Sequence, residues 1–142
     1  MPYDYKSRKI VALIADDLES WQGMNVLGHM AVALGANKDP ELMGREVLTD
    51  QSGVQHMGIA RFGFIIKKGS AQNIAQTIRT ARENESLTVI DFPREMLDTR
   101  HDDALAESIE SKPETDFEYL GDLLYGPTVA VDQLTQDFPL WS

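Results

Sequence analysis

Apolar residues gather along this chain in short unbroken runs, separated by longer stretches of helical periodicity. Lys9 to Ala15 (KIVALIA) is β-branched and does not alternate, the pattern of a strand buried on both faces. Asp16-Asp17-Leu18-Glu19 breaks the run. Ser20 then reads as the N-cap of a helix from Trp21 to about Leu34, with Gly35 as its stop. Leu27, Met30, Ala31 and Leu34 follow the i, i+3, i+4, i+7 rule and form its inward stripe. Gly23 and Gly28 lie inside that helix, where glycine costs about 1 kcal/mol against alanine and makes most sense where backbones pack closely. Asp50-Gln51-Ser52-Gly53 marks a turn between two possible strands. Gly63 to Lys68 (GFIIKK) is a second buried strand. Ser70 caps a helix from Ala71 to Arg82 that brings Ile74, Ala75, Ile78 and Ala81 to one face. Leu87 to Phe92 (LTVIDF) is a third strand, ended by Pro93, and the polar stretch Arg94 to Thr115 holds a short helix around Asp103 to Ser111. A fourth strand runs from Tyr119 to Tyr125 and stops at Gly126-Pro127. A last helix covers Val129 to Leu134, and Phe138-Pro139-Leu140-Trp141 is an apolar tail. This alternation predicts an α/β fold: a three-layer α/β/α sandwich with a small mixed sheet of about four strands, built by residues 1–142 as one domain.

Composition removes several kinds of chemistry. The chain has no cysteine, so disulfides, thiolate metal sites and thiol nucleophiles are excluded, and a reducing compartment fits. Its 142 residues are enough to bury a core without metal or disulfide staples. The start shows no apolar leader, and the longest apolar run, Ile10 to Ala15, is too short to cross a bilayer, so a cytoplasmic protein is expected. Thirteen basic residues against twenty-three acidic ones give a net charge of −10, which repels a phosphate-rich partner. Neither nucleic acid nor membrane is an expected partner.

Three places carry candidate chemistry. Asp16 and Asp17 sit where the first strand ends, the edge at which open α/β sheets bind ligands; Asp17 serves equally as a helix-capping acid. Trp21, Asn25 and His29 stand four residues apart on one helix face, where an indole, an amide and an imidazole can meet a small planar or polar ligand, or pack beneath a loop. His101, with Glu95 or Asp98 to orient it, is the best general-base candidate, although Asp102 beside it suits the start of a helix. Asp91 to Asp102 should wall the other side of the concavity that Asp17, Trp21, Asn25 and His29 line, because both segments leave carboxyl ends of strands. His56 lies in a loop or hairpin with no obvious partner. No metal-ligand spacing, phosphate-binding glycine loop or nucleophile elbow is present, so neither metal nor cofactor is implied.

KIVALIADDL followed by the glycine-bearing helix WQGMNVLGHMAVALGA resembles the opening of type II peptidyl-tRNA hydrolases, and YGPTVAVDQLT resembles their last strand and helix. Over nearly the whole chain, Trp21-Gln22, Asn25-Val26, Asp91-Phe92, Arg94-Glu95-Met96, His101-Asp102, Tyr125-Gly126-Pro127 and Leu140-Trp141 are similar to the bacterial family called domain of unknown function two thousand. The resemblance implies the hydrolase's α/β/α fold. It also places Gln22, or Met24, where the hydrolase carries its active lysine, and Ala31 where it carries a helix histidine. The hydrolase activity is therefore not expected. A small-molecule binding or sensing domain is the leading reading, with catalytic candidates Asp17 and His101 and ligand-binding candidates Asp17, Trp21, Asn25, His29, Asp91, Glu95 and His101. A hydrolase or transferase with a rebuilt site, and a structural protein that self-associates as a homo-oligomer, are the alternatives. The apolar tail packs either on its own domain or on a partner subunit.

Overall fold

The computed structural model describes residues 2–142. Its axis is β1 (Asp4–Ala15), whose residues Ile10 to Ala15 are all buried. Along the chain follow α1 (Ser20–Ala36), β2 (Val47–Thr49), β3 (Gln55–Met57), β4 (Phe62–Gly69), α2 (Ala71–Arg82), β5 (Thr88–Pro93), α3 (Arg94–Asp98), α4 (Asp102–Glu110), a 3₁₀ turn (Glu114–Asp116), β6 (Tyr119–Pro127) and α5 (Thr128–Thr135). The main sheet has the order β4-β1-β6-β5. β1 pairs parallel with β4 and antiparallel with β6, and β6 pairs antiparallel with β5. Thus β1, β4 and β5 all end on one edge of the sheet.

Successive residues of β1 face opposite layers. On one face, α1 packs so closely that a Cβ on its Gly23 would lie 3.2 Å from Ile14. Gly121, opposite Ile14, leaves the room that Val26 and Met30 of α1 occupy. On the other face, Lys9 Nζ donates to Asp132 Oδ1 of α5 at 2.6 Å, and Lys67 Nζ donates to the Thr135 carbonyl at 2.9 Å. There α2 packs beside α5 and against β6. The handedness of the connections explains the layers. From β1 the chain steps outward to β4, and from β4 it crosses back over the sheet to β5; two right-handed crossovers of opposite direction put α1 and α2 on opposite faces.

Local chemistry shifts several boundaries. The N-cap of α1 is Glu19 rather than Ser20, and the Glu19 amide donates to Gln22 Oε1 at 3.0 Å. Gly35 does not stop the helix; Ala36 extends it, and the chain turns at Lys38, the non-glycine residue with φ of 54°. The inward stripe is Gly23, Val26, Met30 and Leu34: Met30 and Leu34 face inward as expected, while Gly23 and Val26 take the places expected of Leu27 and Ala31, because Gly121 admits Val26 beside Met30. β4 is an outer strand, with Phe64 40% exposed, rather than a strand buried on both faces. The turn at Asp50 to Gly53 does join two strands, β2 and β3, in a separate two-stranded sheet.

The apolar tail packs on its own domain. Lys68 N–H donates to the Pro139 carbonyl and Trp141 N–H to the Ile66 carbonyl, both at 3.0 Å, so the tail covers the outer edge of β4. Trp141 helps close an apolar hollow of about 260 Å³ with Ile14, Gly23, Met24, Leu27 and Ile66. Among the described residues no helix is long and apolar enough to cross a membrane.

Candidate functional site

β1 and β4 are parallel neighbours whose following helices leave to opposite faces. A crevice must open between their carboxyl ends, since neither helix covers it. The Asp16 amide donates to the Gly69 carbonyl at 2.9 Å and closes its floor. Above lies a cleft of about 570 Å³, walled by Asp16, Lys68 and Ser70 at the strand ends, by Asn73, Gln76 and Thr77 of α2, by Leu134 in the last turn of α5, and by Asp137, Phe138 and Pro139 beyond it. Ser70 Oγ accepts from the Asn73 amide at 3.1 Å as the N-cap of α2, and Thr77 Oγ1 donates to the Asn73 carbonyl at 3.0 Å. Those bonds build the wall. The side chains of Asp16, Lys68, Asn73, Gln76 and Asp137 make no hydrogen bond or ion pair to another described residue. One ammonium, two carboxylates and two amides thus line one concavity over the apolar floor of Leu134 and Phe138.

The residues singled out from the sequence are spread more widely. Trp21 is 62% exposed, and its Nε1–H donates to Glu19 Oε2 at 2.7 Å. Asp17, Asn25 and His29 are exposed. Of the four, only His29 shares a hollow with the Asp91 to Asp102 segment: its ring centre is 6.0 Å from that of Phe92, and Met30, Ala33, Ile90, Asp91, Met96, Asp102 and Leu105 complete a space of about 450 Å³. Asp17, Trp21, Asn25 and His101 do not line it. The carboxylate of Asp91 pairs with Arg82 of α2, on the other side of the sheet from His29. Glu95 is taken by Lys112, not by His101. Burial pushes the Glu95 carboxyl up, but the Lys112 ammonium prevails and holds it below its ordinary value. His101 is exposed at the N-cap of α4, and its side chain makes no ion pair or hydrogen bond among the described residues. His56 does have a partner, Asp50 Oδ2 at 2.9 Å. Among the described residues no group of three or more histidine, aspartate or glutamate side chains is placed to hold a metal.

A second polar assembly lies under α2. Arg82 bonds to Asp91, to Glu114 Oε1 at 3.1 Å and to Tyr119 Oη at 3.4 Å, while Arg79 Nε bonds both Glu114 oxygens at 3.0 Å. Beside it Asp122, in register with Asp91, is fully buried, and neither carboxylate oxygen has a partner. Burial raises its pKa well above the ordinary value; Asp91 raises it further, and Arg82 offsets only part. Asp122 therefore stays protonated well above the usual carboxylate range.

This architecture defines an open α/β sandwich domain with a polar cleft at its strand switch. The chain belongs to the family described as Protein of unknown function (DUF2000), which it matches over residues 8–142. A solved structure of a protein of unknown function from Agrobacterium tumefaciens is similar to it at 20% identity and a TM-score of 0.83, over 96% of this chain and 98% of that one, and shows the fold. No curated protein matches the chain.

Proposed function

We propose that this chain is a small-molecule binding domain of the type II peptidyl-tRNA hydrolase-like sandwich, and that its ligand occupies the cleft between β1 and β4. The observation that carries this reading is the cleft itself: five polar side chains not used by the fold converge at the topological switch point, where open α/β sheets bind ligands. The lining matches a small zwitterion. Asp16 and Asp137 suit an ammonium, Lys68 suits a carboxylate, and the amides of Asn73 and Gln76 can complete either. The cleft contains no histidine, so recognition fits better than acid–base chemistry. The helix face of Trp21, Asn25 and His29 becomes the second choice, because only His29 lines a hollow.

Thermal-shift and ligand-observed NMR screens with amines, carboxylates and amino acids test the proposal. A zwitterion should bind, and Lys68→Ala should weaken it by roughly 10- to 100-fold, as expected for one charge-assisted hydrogen bond. The variant's stability should stay within about 0.5 kcal/mol of the wild type, since an unpaired surface side chain is lost. Binding that survives Lys68→Ala and Asp16→Asn but disappears in His29→Ala would move the site to the α1 hollow.

A further inference from the structure

The two outer strands of the main sheet end differently. The tail pairs with the outer edge of β4, through Lys68 N–H to the Pro139 carbonyl and Trp141 N–H to the Ile66 carbonyl. Nothing does the same for β5. Its inner edge pairs with β6, and among the described residues no group hydrogen-bonds to the outer edge of Thr88 to Phe92. Natural sheets block such an edge with free charge, proline or a covering element. Before Pro93 the strand has one acid, Asp91, and its carboxylate is taken by Arg82 on the α2 face. The covering element also falls short. α4 packs chiefly on α3, and the hollow of about 450 Å³ stays open between α4, α1 and β5. Met30, Ile90, Phe92, Met96 and Leu105 make it mostly apolar, and methionine side chains adapt their shape to what they meet. Its polar side chains are His29 on α1 and Asp102 on α4. Asp98, Asp102 and Asp103 make no ion pair among the described residues. Of the cations nearby in sequence, Arg94 and Lys112 are taken by Glu118 and Glu95, which leaves Arg100.

We propose that the outer edge of β5 takes up an extended, basic peptide segment of a protein partner as a fifth strand of the sheet. The site lies at the opposite edge from the cleft between β1 and β4 and does not depend on it. The free main-chain donors and acceptors of β5 hold the segment, and every second side chain falls on the side of the hollow. An apolar cavity of about 150 Å³ accepts a benzene ring, so this hollow has room for an aromatic anchor. A lysine or arginine beside the anchor meets Asp102, and a chain of net charge −10 attracts such a segment over a distance. A second copy of this chain is a poorer occupant. Its own Ile90 and Phe92 are already packed beneath its α1, and it brings Asp102 and the same net charge to the contact.

Phage panning of random heptapeptides against the full chain, followed by calorimetric titration of the selected peptide, tests the proposal. Selection should yield apolar residues two apart with a lysine or arginine next to them. Two versions of the peptide, N-methylated on alternate sets of amides, then separate strand addition from other modes. One set should abolish binding, because those amides donate to β5; the other, facing away, should leave it intact. Ala33→Trp fills the hollow from an exposed position, so it should weaken binding by roughly 30-fold or more and leave the circular-dichroism melt unchanged. Asp102→Lys should weaken it about 5-fold at low salt and less at high salt. The absence of any enriched sequence overturns the proposal, as does equal tolerance of both methylated peptides or undiminished binding to Ala33→Trp. So does a wild-type dimer that Ala33→Trp dissociates, which would give the edge to a second copy.

Discussion

Replacing Gly121 with valine should lower the melting temperature by about 10 °C, on a cost of about 3 kcal/mol at the upper end of core overpacking. The position lies mid-sheet on β6, and even an alanine Cβ would sit 2.6 Å from Val26 Cγ1 and 3.0 Å from Met30 Cε. Valine adds two methyl groups to that space, so α1 must lift from the sheet or Met30 must leave its place. Combining Gly121→Val with Val26→Ala should recover part of the loss, whereas pairing it with Val131→Ala on the opposite face should be additive. Thermal denaturation of the wild type, the three single variants and the two double variants checks both statements. A single variant that melts with the wild type would show that α1 does not pack on β6 at Gly121.

The second large effect concerns Asp122. Asp122→Asn should stabilise the protein at pH 8 by about 1.4 kcal/mol for each pH unit by which burial raises the folded carboxyl, because the amide is neutral without taking up a proton. It should change little near pH 4. The sign follows from proton binding. Because the folded carboxyl keeps a proton that the unfolded one releases, stability falls as pH rises from the ordinary carboxylate range to the raised folded value, and then levels. Glu95, Glu114 and Glu118 act in the opposite sense, since each is held below its ordinary value; their contribution is present above that value and lost in acid. The wild type should therefore be most stable in mildly acid solution, and the variant should lose the decline on the alkaline side. Urea denaturation at a series of pH values measures it. A stability difference that is the same at pH 4 and pH 8 would mean that Asp122 does not titrate in this range.

The strands and helices were legible in the sequence because burial dictates them. KIVALIA could only be a central strand, and the stripe of Ile74, Ala75, Ile78 and Ala81 is the buried face of α2. The polar groups were not, since their partners come from distant segments. Glu95 reads as a neighbour of His101 in sequence, but Lys112 is nearer in space and carries a full positive charge. Asp91 follows Ile90, and strand geometry alone sends its carboxylate to the face opposite His29. Asp122 had a visible signal, one acid in the otherwise uncharged strand YLGDLLYGP. The cleft was half visible: Asp16 was placed at the strand end, but Lys68, Asn73 and Asp137 join it only through the strand order. That order rests on where β4 and β5 fall around β1 and β6, which no local pattern encodes.

β6 lies between β1 and β5, and its pairing Ile14↔Gly121 joins residues more than a hundred positions apart. The halves β4-β1 and β6-β5 therefore have no edge in common until Tyr119 to Pro127 docks beside β1. Closing so long a loop comes before any reward from the ladder, which makes this insertion the natural rate-limiting event of folding. Until it happens, the Ile10 to Ala15 segment and the edge of β6 that will meet it are both bare. Such an intermediate presents two unsatisfied strand edges at once, so the yield of refolding should fall as protein concentration rises, long before the native molecule itself shows any tendency to aggregate.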